Sequence, residues 1–107
     1  ASDWPASAPD ANPWSGLSGM ITRQNSDRAY AGALAENQAI SLDEALPFFT
    51  TNGARSLGME NETGDLSVGK WADFIVLEKP LSEKNPIEIG HTQVQQTIWK
   101  GNTVHSL

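Results

Sequence analysis

The sequence predicts an α+β chain, with an irregular N-terminal loop and helices first and a small antiparallel β part after them. Two observations carry this. Apolar residues recur at helical spacing between residues 15 and 57, and after residue 64 they form short runs rich in β-formers. A third feature sets the boundary at the start: Pro5, Pro9 and Pro13 fall within the first sixteen residues, and proline both fixes φ and lacks a donor.

Residues 1–16 therefore read as loop, rich in Ala, Ser and Pro. Trp4 and Trp14 lie inside it, and a free linker has little use for tryptophan, so the loop is expected to pack on something. Residues 15–24 predict a short helix with Leu17, Met20 and Ile21 on one stripe, interrupted at Asn25-Ser26-Asp27. Residues 27–39 are compatible with a weak helix or an ordered loop.

The strongest helical pattern covers 41–57. Ser41 and Glu44 have the spacing of a capping box. Leu42, Ala45, Leu46, Phe49, Gly53 and Leu57 share a face, and Gly58 suits the position just past the end. Pro47 conflicts with a regular helix at a cost of ~3 kcal/mol, which predicts a kink or a short first turn followed by the main helix.

Phe74 to Leu77 is a continuous apolar run and predicts a strand buried on both faces. Val94 to Trp99 alternates and predicts a second strand. Gly101 predicts a type II′ hairpin turn, with Thr103 to His105 returning antiparallel. Residues 78–93, with Pro80 and Pro86, read mostly as connecting loop.

Composition excludes several functions. Lys and Arg number seven and the net charge is −6, which argues against general nucleic-acid or anionic-membrane binding. The chain has no cysteine, hence no thiolate nucleophile, disulfide framework or Cys-based metal site. No apolar run approaches the ~18 residues of a membrane span.

Three segments carry a more specific signal. The chain opens on Ser2-Asp3-Trp4-Pro5. Ile40 to Leu46 is followed by Thr50 to Gly58. Gly64 to Leu77 has the form Gly-x-Leu-x-x-Gly-x-x-Ala-Asp-φ-φ-φ-Leu, with φ apolar. In this order and spacing the chain resembles the C-terminal end of the amidohydrolase superfamily, and within it the formamide deformylase-like group of metal-dependent hydrolases. A (β/α)₈ barrel needs roughly 200 residues or more. The resemblance therefore implies that these 107 residues are part of a longer enzyme.

The resemblance implies a division into residues 1–58, the C-terminal end of the barrel with its eighth active-site loop and outer helices, and residues 59–107, strands of a composite β-sandwich. Asp3 becomes metal ligand and catalytic proton shuttle. Its partner is a divalent metal, zinc in the first instance, which brings a bound water to a pKa near 7. The substrate is a small molecule with an amide, formamide or cyclic amide C–N bond. On composition alone Asp3 is a solvated aspartate near a chain end.

The family's His-x-His pair has no counterpart here, and His91 and His105 read as surface or strand-end residues. One carboxylate cannot hold catalytic zinc, so the 107 residues alone are expected to be inactive and metal-free. They are also expected to expose apolar surface and strand edges and to dimerise.

Other residues have a structural and a functional reading. Asp73 is expected to bond backbone amides of the preceding turn and anchor the strand. Gly64 and Gly69 suit turns needing permissive dihedrals. Arg23 is a substrate contact or, preferred, a structural ion pair. Trp4, Trp14, Trp71 and Trp99 are core and interface anchors rather than sugar platforms. Glu60-Asn61-Glu62 reads as a solvated turn without calcium-loop spacing. The rival to a hydrolase is a non-catalytic binding or scaffolding module, in which Asp3 has no chemical role.

Overall fold

Asn12 and Pro13 begin the first helix, α1, at Pro13–Thr22. The Asn12 side chain accepts the Trp14 backbone N–H at 3.0 Å, and Pro13 occupies a first-turn position where its missing donor costs nothing. The third proline thus opens a helix instead of extending the loop. The computed structural model describes residues 4–6, 10–27 and 29–107. They form two compact units, one from Ala1–Ala45 with Leu81–Thr92 and the other from Leu46–Pro80 with Gln93–Leu107.

In the first unit α1 packs on a 3-10 helix at Pro86–His91. The buried stripe of α1 is Trp14, Leu17 and Ser18, with Met20 and Ile21 half-buried. Leu17 and Ile89 are 1% and 2% exposed, and burying such a side chain stabilises by about 1.5–3 kcal/mol. The approach is close because the facing residues are small. A Cβ at Gly90 would lie 2.5 Å from Ser26 Cβ. The fully buried Ser18 hydroxyl donates to the Pro86 carbonyl at 2.9 Å, so burial leaves it satisfied. Residues 78–93 are therefore not mostly loop: a helical turn at Leu81–Glu83 precedes Pro86–His91. Asn85 and Pro86 repeat the device of Asn12 and Pro13, with Asn85 Oδ1 accepting from Ile87 N–H at 3.3 Å.

Between residues 27 and 39 the described chain is an ordered loop ending in a 3-10 turn at Glu36–Gln38. The 41–57 pattern resolves into three pieces, α2 at Leu42–Ala45, a 3-10 turn at Leu46–Phe49 and α3 at Thr51–Ser56. The predicted capping box is present. Ser41 N–H donates to Glu44 Oε2 at 2.9 Å, and Glu44 N–H donates to Ser41 Oγ at 3.3 Å. The break falls at Pro47, as its missing donor dictates. Ala45 and Ala54 are buried, but Phe49 and Leu57 are exposed, so the single apolar face expected for an unbroken helix does not form.

The second unit contains α3 and the sheet. Gly58, at φ +69°, ends α3 in the left-handed conformation. Its N–H reaches the Arg55 carbonyl at 3.0 Å and the next N–H, of Met59, reaches Ala54 at 2.9 Å, the paired bonds of a Schellman motif. The strands are β1 (Phe74–Leu77), β2 (Val94–Trp99) and β3 (Asn102–Ser106), antiparallel in the order β1-β2-β3.

Two expectations about the sheet need correction. Phe74, Ile75 and Val76 are 39%, 43% and 40% exposed rather than buried on both faces. Among the described residues β1 is an edge strand with a neighbour on one side only, and an apolar run is buried only where something covers it. The hairpin also differs. Trp99 pairs with Asn102 across Lys100 and Gly101, and both central residues have positive φ, +48° and +80°. Positive φ at both positions is the type I′ pattern, not type II′.

Candidate functional site

Asp3, the residue on which the resemblance places metal binding and proton transfer, lies outside the described residues. After it the Trp4–Pro5 peptide bond is cis and Trp4 is exposed. Nearer α1, Asp10 Oδ1 accepts the Asn12 N–H at 2.9 Å, so two successive side-chain-to-backbone bonds lead into the helix.

Among the described residues no group of three or more His, Asp or Glu side chains could hold a metal ion. His91 is exposed at the end of its 3-10 turn, with Nε2 3.2 Å from the Ser26 carbonyl. His105 is exposed on β3. The described residues therefore furnish no ligand set for a divalent metal.

Arg23 has a structural role, but not through an ion pair. It stands at φ +57° just past α1, where its N–H bonds the Gly19 carbonyl at 2.9 Å. Its Nε donates to the Leu34 carbonyl at 3.0 Å, and Leu34 N–H returns a bond to the Arg23 carbonyl at 2.9 Å. An ion pair does join Lys70 Nζ to Asp65 Oδ2 at 2.7 Å. The Lys70 ammonium holds the Asp65 carboxyl well below the usual carboxylate range, helped by the Ser67 N–H at 2.9 Å on Oδ1. The Ser41 backbone and hydroxyl likewise lower Glu44.

Asp73 anchors the sheet by a different route from the one expected. Its Oδ1 accepts the Lys100 backbone N–H at 2.7 Å, and its Oδ2 accepts the Thr63 hydroxyl at 3.0 Å. The amide it satisfies belongs to the distant β2–β3 turn, not to the turn before it. Beside it the Lys100 ammonium lies 3.7 Å from the Trp71 ring centroid and 5.1 Å from that of Trp99. The two tryptophans thus flank a lysine of their own chain, while Trp14 is the buried one. Sequence reading did not find this cation–π pairing, because residues 71 and 100 meet only once the hairpin forms.

Within the Gly64 to Leu77 motif, packing explains the first glycine and backbone conformation the second. Gly64 has φ +99°, and a Cβ there would lie 2.7 Å from Ala54 Cβ on α3. Gly69 has φ +96° in open space. An open depression of about 350 Å³ in the first unit is lined by Ile21, Leu42, Leu81 and Ile89, with Asp43 and Lys84 as its charged groups. One carboxylate, one ammonium and an apolar floor do not make a catalytic constellation. No helix among the described residues is long and apolar enough to cross a membrane.

Comparison with known proteins settles the class. Residues 1–105 match the model of the amidohydrolase family, and the chain belongs to that family. Among the similar proteins are imidazolonepropionases. That of Bacteroides fragilis is 34% identical over 96 residues, covering 90% of this chain and 22% of the relative. The enzyme of Thermoplasma acidophilum is 35% identical over 83 residues, covering 77% and 20%. That of Symbiobacterium thermophilum is 38% identical over 61 residues, covering 57% and 14%. The chain thus spans about a fifth of the length of these relatives or less. No solved structure matches it. The family read from the motifs is correct, whereas the narrower formamide deformylase-like grouping has no support from these names.

Proposed function

We propose that the chain is the C-terminal part of a metal-dependent hydrolase acting on a non-peptide C–N bond of a small molecule. The family match over residues 1–105 is the observation that carries this reading. Of the amide, formamide and cyclic amide classes, the cyclic amide is preferred, because the similar proteins are named for an imidazolone, whose ring contains one. Residues 1–58 belong to the end of a (β/α)₈ barrel and residues 59–107 to a β-sandwich beside it. The half-exposed apolar strand β1 supports this assignment, since a sandwich requires a second layer.

In this reading Asp3 contributes a carboxylate to a divalent metal centre, with zinc the preferred ion. Among the described residues no group of three or more His, Asp or Glu side chains stands ready to complete that centre, so this reading draws its other ligands from the rest of the enzyme. The 107 residues by themselves are inactive.

The test is made on the product of the whole native locus: its mass, its bound zinc and its turnover of an imidazolone, a linear amide and formamide. A longer, zinc-bearing chain that opens the imidazolone, and whose Asp3→Asn variant folds but does not turn over, is the expected result. A metal-free product that begins at Ala1 and hydrolyses none of the three overturns the proposal and leaves a binding or scaffolding module.

A further inference from the structure

We draw no further inference here: the strongest candidate, the exposed apolar patch that Phe74, Ile75 and Val76 form on the edge strand β1, carries nothing because nothing in the structure shows what covers it.

Discussion

The Asp73 carboxylate accepts the backbone N–H of Lys100, 27 residues away in sequence, at 2.7 Å. Lys100 is a non-glycine residue held at φ +48° in a two-residue turn. A second bond, from Gly101 N–H to the Ala72 carbonyl at 3.0 Å, grips the other half of the same turn. The end of one strand approach thus fixes the dihedrals of a hairpin it does not belong to.

Removing the carboxylate frees both the Lys100 amide and the Thr63 hydroxyl. Asp73→Ala is expected to lower stability by about 1.5–3 kcal/mol, the range for hydrogen bonds to a charged group. Asp73→Asn, which keeps one acceptor oxygen, should lose less. Urea midpoints at unchanged slope measure the difference. Equal losses for the two variants would show that the acceptor role is not what Asp73 supplies.

Gly64 and Gly69 separate conformational strain from steric exclusion. Both have positive φ, but only Gly64 faces another side chain, Ala54 on α3. Gly69→Ala should cost about 1 kcal/mol from the dihedral alone. Gly64→Ala adds a clash and should cost more. Ala54→Gly in the same chain should recover part of that excess, with Thr51 Cα, 3.3 Å from the new Cβ, limiting the recovery. Thermal midpoints of the three variants and the double variant check this.

Asp65 and Glu44 have folded-state pKa values below their ordinary ones. A group depressed on folding stabilises fully above its unfolded value, and that contribution is lost as pH falls through the folded value. Stability should therefore fall on acidification, first below the ordinary Glu value of 4.5 through Glu44 and then below the ordinary Asp value of 3.8 through Asp65, and Asp65→Asn should flatten the second part of that fall. Both carboxylates are exposed enough to be screened, so the slope should also weaken in high salt. A pH profile of the urea midpoint for parent and variant, at low and high salt, is the measurement.

Expressed alone, the 107 residues should self-associate. Phe74, Ile75, Val76, Trp99 and Val104 are exposed on the sheet, and β1 and β3 are edges. Sedimentation at rising concentration should show a dimer. A monomer throughout the range would mean that these side chains do not drive association, and charged substitutions at Ile75 and Val104 would then leave the sedimentation unchanged.

Local chemistry was the legible part of the sequence. The Ser41–Glu44 capping box, the break at Pro47, the Gly58 terminus, the second strand and the return of the third follow from residues a few positions apart. Asn12-Pro13 and Asn85-Pro86 read as loop if proline only breaks structure, whereas a preceding Asn turns each proline into a helix start. The half-exposure of β1 is not legible, because an apolar run states a capacity for burial, not the presence of a cover. Gly90 against Ser26 and Lys100 over Trp71 were illegible, since each joins segments distant in sequence. The candidate site was legible only by resemblance, through Asp3, and the described residues add nothing to it.

The unit that contains α1 is discontinuous, with Leu81–Thr92 reached only after the chain has contributed Leu46–Pro80 to the other unit. The Ser18–Pro86 bond spans 68 residues. At a synthesis rate of about 5–20 residues per second, α1 leaves the ribosome roughly 3–14 s before the segment that buries it. A ten-residue helix is marginal by itself in water. Through that interval Trp14 and Leu17 have no Pro86–His91 to pack on, which makes the newly made chain, rather than the finished one, the form most in need of a chaperone.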